Sequence, residues 1–182
     1  KHQMGPFSDR YRVIALDTRG HGRSPRGTAP FTLDQFAQDL KDFLDEKGIE
    51  RCHLLGFSDG GNIALLFALR HPQYVEKLVV NGANLVPSGV KASTQWLITA
   101  GWVMCRVLAC FSRKARRNWE LLNLMVTQPH IDPRALKALS MPVLVTAGEL
   151  EGGSPRDPRE LVGNGGSPPR GLLGGWGREG VP

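Results

Sequence analysis

The sequence predicts the α/β fold class: a parallel sheet with helices on both faces and one long helical insertion. Three observations carry that prediction. Short apolar runs alternate with segments of helical period through residues 11–147, the pattern of parallel strands joined by crossover helices. A serine framed by glycines, Gly56-Phe57-Ser58-Asp59-Gly60-Gly61, stands where one such run gives way to a helix. The segment 87–130 far exceeds the roughly two to six residues usual between such elements, and its own content is helical.

The elements follow in order. Residues 11–16 read as a short buried strand ending in Asp17, and the loop 18–30 is rich in Gly, Arg and Pro. Thr32 is placed as a helix N-cap, with Gln35 three residues on as its capping-box partner. Leu33, Phe36, Ala37, Leu40, Phe43 and Leu44 recur at helical spacing, which predicts an amphipathic helix over 33–47 stopped at Gly48. Residues 51–57 form the next strand, 59–70 the helix after it, and Pro72 ends that helix. The third strand is 77–81 and the fourth 142–147. A short helix precedes the fourth, with Asp132 as cap, Pro133 at its first position, and Leu136 and Leu139 inward. Inside the insertion, helices are expected over 94–111 and 114–126, and the whole reads as a cap over a pocket.

At 182 residues the chain has room for one sizeable core. Residues 1–151 are assigned to that core, with the cap at about 87–130. From residue 152 onward Gly, Pro, Arg and Ser dominate, and the only apolar pairs are Leu161-Val162 and Leu172-Leu173. Such a tail buries too little surface to offset its ordering entropy, so disorder is expected over 152–182. The abrupt shift near Leu150 supports a change of reading frame, and the first residue, Lys1, suggests a fragment or incomplete gene product.

The net charge of +6 does not imply a nucleic-acid partner, because the bases are dispersed. The densest group, Arg113, Lys114, Arg116 and Arg117 with Arg106 upstream, reads as a solvated helix face. Residues 96–111 are the most apolar long stretch. Gly101 and Arg106 interrupt it short of the roughly 18 apolar residues a membrane span needs, so a buried or amphipathic helix is expected and no membrane partner. Cys52, Cys105 and Cys110 are odd in number and form no metal-ligand or disulfide pattern, which fits a reducing, cytoplasmic setting. No G-x-G-x-x-G, P-loop or His/Asp cluster is present, so no cofactor, metal or nucleotide is expected.

G-x-S-x-G at a strand-to-helix turn is the nucleophile-elbow pattern, here with Gly56 and Gly60 flanking Ser58. The turn is so sharp that side chains at the flanking positions would collide with their neighbours, and glycine there relieves it. The Ser58 hydroxyl would stand clear of the sheet edge beside a helix N-terminus, where free N–H groups favour a developing negative charge. A serine hydroxyl alone is a poor nucleophile. It needs a base within hydrogen-bond reach, itself held by a carboxylate.

Two motifs together resemble the α/β-hydrolase family: the elbow, and the upstream loop Asp17-Thr18-Arg19-Gly20-His21-Gly22-Arg23-Ser24-Pro25, which is similar to that family's D-x-R-G-x-G-x-S segment. The likeness covers roughly residues 10–149 and implies an incomplete α/β-hydrolase sheet, lacking the first strands and the final strand and helix. The elbow is similar to that of small esterases and amino-acid-ester hydrolases, the biphenyl-hydrolase-like branch. Family members that open epoxides or haloalkanes carry Asp as nucleophile, so Ser58 points away from both.

The resemblance implies roles residue by residue. Ser58 would be the nucleophile, the Asp59 backbone N–H an oxyanion donor, and Glu151, after the fourth strand, the acid. The Asp59 carboxylate either favours the helix N-terminus or attracts a substrate ammonium. The triad histidine should lie beyond the acid, but none follows His130. His21 is a poor candidate because its loop is structural in the family. His130 reads as an exposed loop residue, His71 as a cap of the elbow helix through the dipole, His53 as a strand residue and His2 as terminal. The implied substrate is a small acyl compound attacked through an acyl-enzyme, with little activity expected of this chain alone. The competing readings are a non-catalytic binding module and a carbon–carbon bond hydrolase or cofactor-free haloperoxidase of the same fold. Oligomeric state is left open.

Overall fold

The computed structural model describes residues 4–87 and 92–146, with side chains 92–95 excepted. Its elements are α1 (Met4–Ser8), α2 (Leu33–Glu46), β1 (Cys52–Phe57), α3 (Asp59–Arg70), β2 (Val75–Asn81), α4 (Ala92–Leu108), α5 (Arg113–Thr127) and β3 (Val143–Thr146). The three strands are parallel in the order β1-β2-β3. Leu55 sits opposite Val79 and Val79 opposite Leu144, so the strand ends carrying Phe57, Asn81 and Thr146 line up at one edge. Glu151 and the tail 152–182 lie outside the described residues.

α2 begins where the sequence places it. Thr32 is extended and its hydroxyl accepts from the Gln35 N–H at 3.1 Å. The reciprocal half of the capping box is not made, because the Gln35 side chain turns to Asp39, donating to Oδ1 at 3.0 Å. Gly48, at φ +62, ends the helix, a conformation glycine reaches without Cβ strain. Leu33, Phe36, Ala37 and Leu44 are buried on the face that meets α3.

α3 is apolar on more than one side because it is covered twice. It lies on β1 and β2 and is overlaid by α2, burying Ile63, Ala64, Leu65, Phe67 and Ala68. Phe67 is fully buried, and truncating such a side chain to alanine costs about 3–5 kcal/mol. The one buried polar side chain among the core residues, Asn62, accepts from the Asn84 N–H at 3.0 Å and pins the exit of β2 to α3.

Helices cover one face of this sheet. On the other, Leu55 and Phe57 of β1 stand exposed, half the strand's apolar side chains facing solvent among the described residues. The strand expected over 11–16 does not form: the backbone there joins no strand among the described residues, the Tyr11 N–H donating locally to the Phe7 carbonyl at 2.9 Å, and Tyr11, Ile14 and Leu16 are exposed. The Tyr11 ring meets the sheet edge-on at His53, centroids 5.5 Å apart. A short apolar run becomes a strand only when a partner satisfies its N–H and C=O groups, and nothing described occupies that position.

The insertion folds as a hairpin of two helices. Trp102 Nε1 donates to Asn123 Oδ1 at 3.1 Å, and Gly101 lets α4 approach Leu122 of α5. Ser112 caps α5 through the Ala115 N–H. Leu124 and Ile131 anchor the hairpin in the main core. Of the two alternatives for 96–111, a buried or an amphipathic helix, the buried one is corrected: Trp96, Val103, Met104, Val107 and Phe111 are all exposed, because α5 covers only the opposite side of α4. The helix expected after Asp132 tightens to a single 3-10 turn over Ala135–Ala138. The Asp132 carboxylate accepts from the Arg134 N–H at 2.8 Å, and Leu136 and Leu139 face the core as expected.

Candidate active site

β1 passes into α3 through Ser58, which has φ +53 and ψ −119 and is the only non-glycine residue at positive φ among the described residues. L-residues are held there only when the surroundings enforce it. The enforcement is visible. The Ser58 N–H donates to the Asn81 carbonyl at 2.8 Å, and the Ser58 carbonyl accepts from the N–H groups of Gly61 at 2.8 Å and Asn62 at 3.1 Å. The backbone is thus fixed on both sides while the side chain is exposed at the strand ends. The N–H groups of Asp59 and Gly60, the first two of α3, take no backbone partner among the described residues, as a helix start requires. They leave a donor pair and the positive end of the helix beside the hydroxyl.

Crowding at the elbow is sharper on one side than the sequence suggests. A Cβ at position 56 would fall against the backbone carbonyl of Gly60 and within 2.7 Å of the Gly61 Cα. At position 60 an added Cβ meets nothing within 4 Å, so the steric demand expected there falls instead on Gly61, 3.0 Å from the Ala83 Cβ and 3.2 Å from Val80 Cγ1. A G-x-S-x-G pattern does not flag Gly61; the second glycine of the Gly60-Gly61 pair was its only signal.

The upstream loop is folded on itself. The Asp17 carboxylate accepts from the Arg23 N–H at 2.9 Å, and a side chain at Gly22, φ +49, would run into that carboxylate. The Ser24 hydroxyl donates to the Asp17 carbonyl at 2.7 Å. Arg19 forks onto Asp39 of α2, 2.8 Å from Nε to Oδ2 and 2.5 Å from Nη2 to Oδ1. Arg26 forks onto Glu120 of α5, with both contacts at 3.0 Å, and its guanidinium lies 4.8 Å above the Phe31 ring.

A family model of the alpha/beta hydrolase fold matches residues 2–156, most of the chain. The chain belongs to the alpha/beta hydrolase fold family. It is 43% identical over 82 residues to epoxide hydrolase 4 of Mus musculus, covering 44% of this chain and 23% of that protein. It is equally, 43%, identical over 79 residues to a putative carbamate hydrolase RutD of Caulobacter, covering 43% of this chain and 30% of that one. A solved structure described as an N-acyl homoserine lactone degrading enzyme superposes with a TM-score of 0.58 at 25% identity, over 81% of this chain and 68% of that chain. The chain thus spans less than a third of the two curated relatives, and its sheet is incomplete beside the family fold.

Within this alpha/beta hydrolase chain the other site candidates are placed unevenly. Asp59 opens α3 next to Ser58. Burial by surrounding protein raises its pKa despite an exposed edge, and the charge of nearby His21 opposes that rise. His21 comes to the same sheet edge but is spoken for. Its Nδ1 lies 3.0 Å from Thr18 Oγ1 and 3.1 Å from the Arg19 carbonyl, and its ring stacks on Phe31. His130 is exposed, as expected. His71 is the C-cap of α3, its N–H donating to the Phe67 carbonyl at 2.8 Å. Burial first, then the charges of Lys41 and Arg70, lower its pKa and favour the neutral ring packed on Phe67 and Tyr74. Ser58 Oγ meets no hydrogen-bonding base among the described residues.

Two shallow hollows lie on the surface of the described residues. The larger, about 570 Å³, is lined by Arg51, Pro72, Val75 and Pro142, at the strand starts and away from the elbow. The smaller, about 280 Å³, lies between the upstream loop and α5, lined by Gly20, Gly22, Arg26, Phe31, Arg117 and Glu120. Neither hollow is lined by Ser58 or Asp59; the smaller borders the loop that carries His21, whose charge acts on Asp59. No group of three or more His, Cys, Asp or Glu side chains that could hold a metal ion occurs among the described residues.

Proposed function

We propose that this chain carries the nucleophile half of a serine acyl hydrolase, with Ser58 attacking a carboxylic ester or similar acyl carbonyl. The supporting observation is the Ser58 backbone, held at φ +53 and ψ −119 by bonds to β2 and α3. That geometry lifts the hydroxyl off the sheet edge beside the unpartnered Asp59 N–H. In the reaction, Oγ bonds to the carbonyl carbon, its proton leaves to a base, and the carbonyl oxygen takes negative charge facing the Asp59 N–H. Collapse expels the alcohol and leaves an acyl-enzyme that water releases. Glu151 is the sequence candidate for the acid. The α4–α5 hairpin serves as the cap, tied to the loop by Arg26 and Glu120. Relatives named for carbamate and lactone cleavage fit attack at an acyl carbon. The epoxide hydrolase relative fits less well, because a serine stands at the elbow where that chemistry uses a carboxylate.

A weaker, non-catalytic reading is favoured by one fact: Ser58 Oγ has no base in contact among the described residues. A fluorophosphonate label separates the two. Ser58-dependent labelling that Ser58→Ala abolishes, with a faint or absent ester burst, is the expected result. Labelling no faster than that of a free serine would leave only the binding module. A full-sized burst with an activated aryl ester would show that a base is supplied after all.

A further inference from the structure

We propose that the α4–α5 hairpin seats this protein on an anionic lipid surface, without crossing it. No helix among the described residues is long and apolar enough to span a membrane. From Trp96 onward α4 nevertheless turns an apolar, uncovered arc to solvent. Trp96, Leu97, Val103, Met104 and Val107 are each at least half exposed, and Phe111 just beyond the helix is 88% exposed. At 100° per residue the five within α4 fall within roughly a third of the helix circumference, and no charged side chain interrupts them. Gly101 and Trp102 face the other way, against α5. Single exposed apolar residues are ordinary; a contiguous stripe of this size marks an interaction surface.

The charge around the stripe identifies the occupant. Arg106, Arg113, Lys114, Arg116 and Arg117 are all exposed and join no ion pair among the described residues. The only acid of α4 and α5, Glu120, is held by Arg26. Four of these bases crowd the first turns of α5, where the helix dipole disfavours cations, so helix stability does not account for them. A second copy of the chain would bring two such clusters together and be repelled. Anionic headgroups would instead meet the bases of α5, behind the arc, while the arc itself enters the acyl boundary. That is the balance of an interfacial element: an apolar stripe backed by Lys and Arg. Trp96 and Phe111 bracket the arc as interfacial anchors.

The test is co-sedimentation of the 182-residue chain with vesicles of phosphatidylcholine alone or with phosphatidylserine added. Binding should favour the phosphatidylserine vesicles by about tenfold or more and fade as salt is raised. Each base neutralised, as in Arg116→Gln, should weaken it roughly fivefold. Met104→Asp should abolish it with the far-ultraviolet circular dichroism unchanged. If that variant misfolds, wild-type fluorescence decides: a blue shift on binding that Trp96→Phe removes supports the seating. Equal or absent binding to the two vesicle types overturns it. So does a dimer in sedimentation velocity that Met104→Ser dissolves, which would assign the stripe to a second copy.

Discussion

The Ser58 N–H donates to the Asn81 carbonyl at 2.8 Å, so the turn carrying the candidate nucleophile is clamped to the end of the neighbouring strand. That bond joins two elements brought side by side by the parallel pairing of β1 and β2. It also holds a serine in backbone territory that glycine occupies freely. Position 58 therefore stores strain, and the strain is separable from the hydroxyl.

Ser58→Gly should stabilise the fold. Relief of a disallowed backbone is worth about 1–3 kcal/mol, and the extra unfolded-state freedom of glycine takes back roughly 0.5–1 kcal/mol. A net gain of about 1 kcal/mol should appear as a rise of about 2–4 °C in Tm. Ser58→Ala keeps the strain and should melt near wild type. Equal melting of the two variants would show that the turn is relaxed.

The two elbow glycines should respond oppositely to a methyl group. Gly56→Ala drives a Cβ into backbone of Gly60 and Gly61, which cannot rotate away, and should cost about 3 kcal/mol or more. Gly60→Ala opens onto free space within the first turn of α3 and should lie within about 1 kcal/mol of wild type. Urea titrations of both variants measure the difference.

These contrasts mark how far the sequence could be read. Wherever a local signal and a tertiary partner coincide, expectation and structure agree: Thr32 and Gly48 bound α2, and Asp59 and Arg70 bound α3, within a residue. Residues 11–16 carry the apolar content of a strand, but pairing is a property of the neighbour, and that is not legible in six residues. The apolar stretch 96–111 states its hydropathy without stating which side α5 will cover. The site divides the same way. Ser58 is fixed by dihedrals its own flanks permit, and was legible. The crowding at Gly61 arises from Ala83 and Val80, distant in sequence, and was not.

The Arg19 fork should set a pH dependence at the acid end. Burial alone would raise the Asp39 pKa, but hydrogen bonds from Arg19 and Gln35 and the Arg19 charge outweigh it, and the net direction is down. A carboxylate lowered on folding adds stability that is present above its unfolded value and lost as pH falls through the folded one. Arg19→Lys keeps a cation but loses the two-toothed geometry. It should cost about 1–2 kcal/mol at neutral pH and flatten the acid limb of the stability curve. An unchanged limb would show that Arg19 does not hold Asp39.

Asp59 should have the opposite sign. Its pKa is raised, first by burial, with the His21 charge working against the rise. The folded state then keeps the proton to higher pH than the unfolded chain, so stability declines as pH climbs from the unfolded value through the folded one. Asp59→Asn removes the partly desolvated charge and leaves the backbone N–H at the head of α3 untouched. The variant should therefore be the more stable form at neutral pH, with the two curves converging in acid as the wild-type carboxyl becomes neutral. Fluorophosphonate labelling of Ser58 should survive the change, since the donor proposed to face the oxyanion is main-chain. Loss of labelling with stability retained would shift that role to the carboxylate side chain, and a stability gap that persists in acid would point to packing rather than charge.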